Sequence, residues 1–188
     1  MLKILIYTAN IGGYDKSIPE GFGRPVAGVD YLYFSDREET ADRARAGVRW
    51  LRHKRRPTQD PVRVARRLKI SEYANHKDYD WVVWVDSNLR VFPESIQRYI
   101  AEESDPQRDI KVFSHDTRDC LYEEAQWAFQ AGVDSPGLIS RQVNRYHQEG
   151  FPSDFGLANT NMLIRRPESP TVAAFCGLWQ SQLDSGSR

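Results

Sequence analysis

The sequence predicts an α/β fold in which helices flank a mixed, mostly parallel β-sheet. The strongest indication is the run 81–85, Trp-Val-Val-Trp-Val, which contains no charged residue. A short run of β-branched and aromatic residues is typical of a central strand that is buried on both faces. The second indication is that strand and helix patterns alternate along the chain, as in proteins built around a parallel sheet. A length of 188 residues suits one domain, spanning 1–188.

Local signals place the individual elements. Strands are predicted over 3–9, 31–34, 81–85, 110–113 and 162–164. Helices are predicted over 61–73, near 93–103, around Glu123 and Glu124, from 136 to Gly150, and from 170 onward. Asp60-Pro61 indicates a helix start, because an N-cap side chain precedes a proline at the first helical position. One side of the last helix is predicted to be core, formed by Val172, Phe175, Cys176, Trp179 and Leu183.

Charge is balanced overall but unevenly distributed. The chain has 26 basic and 26 acidic residues, yet the segment 43–69 has eleven Lys and Arg against one acid, a local charge of +10. Such a segment favours phosphate, whether on a nucleotide, a nucleic acid or a membrane surface. The alternative is a solvated basic face balanced by acids elsewhere.

Cysteine content and the start of the chain indicate the compartment. Cys120 and Cys176 are too few for a disulfide framework and lack metal-ligand spacing, so two unpaired thiols in a reducing compartment are expected. A strand that begins at residue 3 leaves no room for a signal peptide, and no run is long enough to span a membrane. We therefore predict a cytoplasmic protein, with peripheral membrane association left open.

Polar residues follow the predicted strands, where ligand sites of open α/β sheets lie. In Asp86-Ser87-Asn88 an acid and an amide two residues apart could offer oxygen ligands to a divalent cation, although the same residue types are common in turns. Asp36 could bind a ribose hydroxyl or cap a turn. The loop 10–15 contains Gly12 and Gly13 but neither a dinucleotide fingerprint nor a P-loop, so any phosphate site here must work differently.

Three further groups are candidates for binding or chemistry. On the helix 61–73, three basic residues share one face and a fourth lies nearby, and together they could bind an anion: Arg63, Arg66 and Arg67, with Lys69. After the strand 110–113, a general base, a substrate clamp or a third metal ligand could come from His115, Arg118, Glu123 or Glu124. The two glutamates point about 100 degrees apart on a helix, so at most one is expected to face a site. Asn159 and Asn161 could bind sugar hydroxyls or form a turn.

Taken in order, these segments resemble the TOD/MUCI glycosyltransferase-like family. The resemblance is carried by Tyr7-Thr8-Ala9, Gly12-Gly13-Tyr14-Asp15, Phe34-Ser35-Asp36, Ala65-Arg66-Arg67-Leu68-Lys69 and Trp84-Val85-Asp86. Later segments that agree are 115–120, Glu123-Glu124-Ala125, Glu149-Gly150-Phe151-Pro152 and 156–161. The likeness covers nearly the whole chain.

The resemblance implies a GT-A-like, Rossmann-like glycosyltransferase domain. Such an enzyme would move a sugar from a nucleotide-sugar donor, UDP-linked by expectation, to a glycan or other hydroxyl acceptor, as in polysaccharide biosynthesis. An Asp-containing motif would hold Mn²⁺ or Mg²⁺ on the diphosphate. In this chain the expected Asp-x-Asp is Asp86-Ser87-Asn88. Family members also continue past residue 188, so the domain is expected to be truncated at its C-terminal end.

The candidate site residues fall into four roles, of which the catalytic candidates and Arg118 come from the strand-end pattern and the others from the resemblance. The nucleotide would be bound by Thr8, Ala9, Tyr14, Asp15, Asp36, Arg63, Arg66 and Lys69. The metal would be held by Asp86 and Asn88. The transferred sugar or the acceptor would meet Arg118, Asn159 and Asn161. The catalytic candidates are His115, Glu123 and Glu124.

Two other functions compete with this interpretation. A non-catalytic nucleotide or nucleotide-sugar binding module would keep the strand-end residues and lack a complete metal or acceptor site. A nucleic-acid-binding protein would use the basic segment 43–69. However, the sequence has no nucleic-acid-binding motif, and this function would not explain the polar residues that follow the strand 81–85. Nucleic acid is therefore not an expected partner.

Overall fold

A computed structural model describes residues 1–15, 17–37, 47–103 and 105–185. Its strands form one six-stranded sheet in the order β3-β2-β1-β4-β6-β5. The strands are β1 (Ile4–Asn10), β2 (Val29–Ser35), β3 (Val48–Arg52), β4 (Trp81–Val85), β5 (Ile110–Ser114) and β6 (Ala158–Arg165). β1 to β4 are parallel, whereas β6 is antiparallel to both of its neighbours, β4 and β5. The predicted α/β class with a mixed, mostly parallel sheet is confirmed.

The helices connect these strands. They are α1 (Pro61–Ser71), α2 (Pro93–Arg98), α3 (Leu121–Gln130), α4 (Pro136–Gln148) and α5 (Pro170–Asp184). A 3₁₀ turn, Glu72–Asn75, follows α1, and a π turn, Tyr99–Glu103, follows α2. In the described ranges, no helix combines the length and the apolar composition needed to cross a bilayer.

The central position predicted for 81–85 is confirmed, because all five residues of β4 are buried between β1 and β6. Val82 and Trp84 join a core cluster with residues of α1 and α5, and Val83 joins a second cluster with residues of α2 on the other face. Burial on both faces is what removes charged residues from such a strand.

The predicted helix starts are also confirmed. The side chain of Asp60 accepts a hydrogen bond from the backbone N–H of Val62 at 2.9 Å, and a proline follows it at the start of α1. Ser135 and Ser169 accept equivalent bonds at the starts of α4 and α5. These local bonds satisfy backbone donors that a helix leaves unpaired at its N-terminus.

Two expectations need correction. β3 was not predicted, because this edge strand is short, carries Arg49 and Arg52, and pairs among the described residues with β2 alone. Phe175 was expected in the core but is 43% exposed. It lies about 60 degrees from Val172 around the helix axis, at the margin of the apolar stripe.

Candidate functional site

A cleft of about 910 Å³ opens at the edge of the sheet where β1 and β4 end. Because β6 runs in the opposite direction to β4, its first residues lie at the same edge. One side of α1, from Pro61 to Lys69, forms another wall. The predicted site residues that line this cleft are Ala9, Tyr14, Asp15, Arg66, Lys69, Asp86, Asn88, His115, Glu124, Asn159 and Asn161. The structure therefore brings together most of the residues that the sequence singled out.

The centre of the cleft holds an ion pair. The Lys69 ammonium lies 3.1 Å from Oδ1 of Asp86, and the lysine side chain is only 10% exposed. Trp84 Nε1 donates a hydrogen bond to the same oxygen at 2.6 Å. Loss of solvent around Lys69 lowers its pKa below the ordinary value, although the attraction of Asp86 opposes this effect. The pair thus places a charged group, held in a fixed position, at the end of the central strand.

The loop after β1 is tied to the loop after β4. Asn10 donates from Nδ2 to the carbonyl oxygen of Asp15 at 2.6 Å and accepts from the Asp15 N–H at 3.3 Å. Ser87 in turn donates from its hydroxyl to the Asp15 carboxylate. Asn10, Ser87 and Trp84 line the cleft but were not predicted as site residues. For Asn10 the signal was available, since it is a polar residue at a strand end, whereas Trp84 is indistinguishable in sequence from a core residue.

Asp36 lies beside the cleft and is not part of its lining. Its Oδ1 accepts from the Gly12 N–H at 2.9 Å, and its Oδ2 accepts from Arg55 Nε at 2.7 Å. Burial by itself would raise the pKa of Asp36, but the hydrogen bonds from Arg55 and Gly12 and the charge of Arg55 hold that pKa below its ordinary value. Gly12 has a φ of 79°, a conformation that favours glycine, and its position against Pro61 links the loop to the start of α1.

Two asparagines of β6, Asn159 and Asn161, also line the cleft. The carbonyl oxygen of Asn161 accepts from the Asp86 N–H at 2.8 Å, which fixes β6 against the end of β4. Oδ1 of Asn159 accepts from the Asn161 N–H at 2.9 Å, and its Nδ2 donates to Asp116 at 3.3 Å. Their amide groups can offer both donors and acceptors to a hydroxyl-rich ligand.

A second polar group lies where β5 ends. Arg118 forms an ion pair through Nε with Glu124 and lies with its guanidinium 4.7 Å from the centroid of the Trp127 ring. His115 Nδ1 accepts from the N–H of Arg118 at 3.2 Å, so this ring nitrogen has a structural role. His115 and Glu124 line the cleft, whereas Arg118 and Glu123 do not.

The remaining predicted residues lie outside the cleft lining. Thr8 is fully buried in β1, and its hydroxyl has no hydrogen-bond partner among the described residues. Arg63 donates from Nη1 to the carbonyl oxygen of Leu183 at 3.0 Å, which directs it toward α5. In the basic segment, Arg43 and Arg45 lie outside the described residues. Because Arg63 contacts α5 and Arg55 contacts Asp36, part of the basic segment forms contacts within the fold.

The groups around Asp86 fit a divalent cation poorly. Oδ1 of Asp86 already accepts from two donors, and the neutral amide of Asn88 stands where a second carboxylate was expected. A cation here would also be repelled by the Lys69 ammonium. Within the described ranges there is no group of three or more His, Cys, Asp or Glu side chains that could hold a metal. Mn²⁺ or Mg²⁺ at Asp86 and Asn88 stays a prediction from the sequence, and no step below depends on it.

Comparisons with known proteins give likenesses in structure but no match in sequence. No family model and no curated protein sequence matches the chain. Among solved structures, it is similar to the apo form of mouse xyloside xylosyltransferase 1, with a TM-score of 0.47 and 11% identity, over 97% of this chain and 75% of that chain. With a TM-score below 0.5, this likeness indicates no activity or site for the chain.

Proposed function

We propose that the cleft binds a nucleotide-sugar and that the protein is a glycosyltransferase. The observation that carries this proposal is the composition of the two walls. Arg66 and Lys69 on α1 supply positive charge to the lining of the cleft, and Asn159 and Asn161 on β6 supply amides to the same lining. A nucleotide-sugar has the matching halves, an anionic diphosphate and a neutral, hydroxyl-rich sugar. The resemblance of the same segments to the TOD/MUCI glycosyltransferase-like family agrees with this assignment.

The donor is proposed to lie along the edge of the sheet. Ala9, Tyr14 and Asp15 would surround the base and ribose, with UDP as the expected nucleotide, while Arg66 and Lys69 would bind the diphosphate. Arginine suits this role because its planar guanidinium can donate two parallel hydrogen bonds to phosphate oxygens. The location agrees with the general rule that ligands of open α/β sheets bind beyond the carboxyl ends of the strands.

The chemical step would replace one bond to the anomeric carbon with another. The bond from that carbon to the diphosphate oxygen breaks, and its electron pair leaves with the nucleoside diphosphate. A bond to an acceptor hydroxyl oxygen forms, and the hydroxyl proton passes to a base. Arg66 and Lys69 would stabilise the charge that develops on the leaving group. Of the three catalytic candidates we assign the base to Glu124, because it lines the cleft and Arg118 holds it in position.

Calorimetric titration of UDP and then GDP into the protein tests donor binding. We expect binding that prefers one base and weakens by roughly 10- to 100-fold in Arg66→Ala, because a hydrogen-bonded charge is lost. Arg67→Ala is the matched control, since the neighbouring Arg67 forms an exposed ion pair with Asp184. Equal losses in the two variants, or no binding of either nucleotide to the unmodified protein, would contradict the proposal.

A non-catalytic nucleotide-sugar binding module is the second candidate, and the neutral Asn88 beside Asp86 favours it. The two functions differ in turnover. Incubation with a panel of UDP-sugars and glycan acceptors, followed by measurement of released UDP, separates them. Release that disappears in Glu124→Gln while UDP affinity is retained supports the enzyme, and binding without any release supports the module.

A further inference from the structure

We propose that the Lys69 ammonium supplies the cation for the diphosphate, so that the nucleotide binds this cleft without a divalent metal. This inference depends on the proposed function, because it assigns the positive charge of that same site. It departs from the sequence-based expectation of Mn²⁺ or Mg²⁺ at Asp86 and Asn88.

The first support is the position of the ammonium group. Lys69 lines the cleft and lies 3.1 Å from Asp86, the carboxylate that was expected to hold the metal. Its Nζ also lies 5.8 Å from the centroid of the Trp84 ring. A lysine ammonium has three donors, so one hydrogen bond to Asp86 leaves two donors that this bond does not use.

The second support is how firmly the lysine is held. Its backbone carbonyl oxygen accepts from the Tyr7 hydroxyl at 3.0 Å and from Arg165 Nη2 at 2.9 Å. Both donors are fully buried. The backbone of Lys69 is thus anchored in the core while its side chain reaches the cleft. A charge fixed in advance stabilises an anion without the cost of reorganisation.

The third support is the balance of charge. A divalent cation held by two carboxylates is neutral overall, and so is one ammonium held by one carboxylate. The neutral Asn88 agrees with this balance, because Asp86 is the single carboxylate of the motif 86–88 and pairs with the Lys69 ammonium. The geometry and the composition of the motif therefore agree.

The test measures nucleotide affinity with and without metal. The nucleotide that binds in the titration above is titrated again in EDTA and in Mn²⁺, and we expect affinities that agree within about twofold. Lys69→Met should weaken binding by at least about tenfold in both conditions, because a charged hydrogen bond is lost, and Lys69→Arg should recover part of it. Binding of Mn²⁺ alone, followed by electron paramagnetic resonance, should be absent in the unmodified protein.

Lys111→Met is the matched control. Lys111 is also a buried lysine, but it donates to the carbonyl oxygens of Asp105 and Arg108 and does not line the cleft. The nucleotide affinity of Lys111→Met should equal that of the unmodified protein. This comparison separates loss of the Lys69 cation from a general loss of structure. Circular dichroism of each variant checks the fold.

The outcomes distinguish the two proposals. Binding that EDTA abolishes and Mn²⁺ restores overturns the role of Lys69 and leaves the glycosyltransferase proposal intact. Tight Mn²⁺ binding to the unmodified protein, or full affinity in Lys69→Met, also overturns it. Absence of nucleotide binding under every condition overturns the proposed function, and the inference with it.

Discussion

The guanidinium of Arg165 donates a hydrogen bond to the hydroxyl of Tyr7 at 2.6 Å, and both side chains are completely buried. Arg165 also donates to the carbonyl oxygens of Lys69 and Ile70, and it lies 4.6 Å from the centroid of the Tyr73 ring. These carbonyl groups belong to the last turn of α1, where the helix leaves backbone acceptors unpaired and carries partial negative charge. Arg165 thus joins β6 to the end of α1 and fixes the backbone from which Lys69 enters the cleft.

Arg165→Met should destabilise the protein by about 2–4 kcal/mol. The substitution keeps much of the apolar volume but removes the buried hydrogen bonds that Arg165 donates to the carbonyl oxygens of Lys69 and Ile70. Urea unfolding followed by circular dichroism measures the change. The control Arg108→Met, at an exposed position with an ion pair to Asp105, should change stability by less than about 0.5 kcal/mol. A loss no larger than that of the control would show that Arg165 does not support α1.

Stability should fall above pH 10 in a way that depends on Tyr7. Burial raises the pKa of Tyr7 to about 12, despite the opposing charge of Arg165. An unfolded tyrosine ionises near pH 10, so between these values the unfolded state binds fewer protons and becomes favoured as pH rises. The stabilisation that neutral Tyr7 contributes is fully present below about pH 10. Roughly 3 kcal/mol of it is lost as the pH rises through about 12.

Unfolding measured at a series of alkaline pH values tests this effect. Tyr7→Phe removes the ionising group, so its stability should fall less steeply above about pH 10 than that of the unmodified protein. Tyr73 and Tyr79 also have pKa values raised to about 12 and should preserve part of the slope in both proteins. Identical slopes would contradict the assignment to Tyr7.

The Asp36 carboxylate should stabilise the loop after β1 in a pH-dependent manner. The pKa of Asp36 is lower in the folded protein than in the unfolded chain. The stabilisation from the Asp36 carboxylate is therefore complete above the pKa of an unfolded aspartate, about 3.9, and is lost as the pH falls below that value. We expect Asp36→Asn to be less stable than the unmodified protein at neutral pH. The difference should shrink as the solution is acidified, and a difference that does not change with pH in urea unfolding would refute this prediction.

The helices α3 and α4 should exchange their backbone amide hydrogens faster than the rest of the fold. Neither helix contains a buried residue in the part of the chain that the structure describes, whereas every residue of β1 and β4 is buried. Local opening of such helices costs little apolar contact. Hydrogen exchange measured by mass spectrometry should show lower protection in α4 than in α5, which is of comparable length. Equal protection of these two helices would contradict the expectation.

The sequence alone was sufficient where a local pattern decides the structure. The run 81–85 was predicted to be buried on both faces because it carries no charged side chain, and it forms the central strand β4. Asp60, Ser135 and Ser169 cap helices through bonds to amides two or three residues away, so their roles depend only on neighbouring residues. The position of Asp86 at a strand end follows from the same local reasoning.

Other features required the tertiary structure. β3 was not recognised, because an edge strand needs no continuous apolar run and is defined by its pairing with β2. Arg165 looked like one basic residue among 26, and no sequence pattern indicates that it crosses the core to Tyr7, which is 158 positions away in the chain. Its burial depends on donors and acceptors that come from three separate elements.

The residue types around the cleft were therefore determined by the sequence, and their partners by the fold. Lys69 and Asp86 were each predicted to be site residues, one for phosphate and one for metal. Only the packing of α1 against the sheet decided that their charged groups lie 3.1 Å apart. The physical reason is that strand and helix patterns depend on neighbours in the chain, whereas an ion pair between residues on different elements depends on how those elements pack.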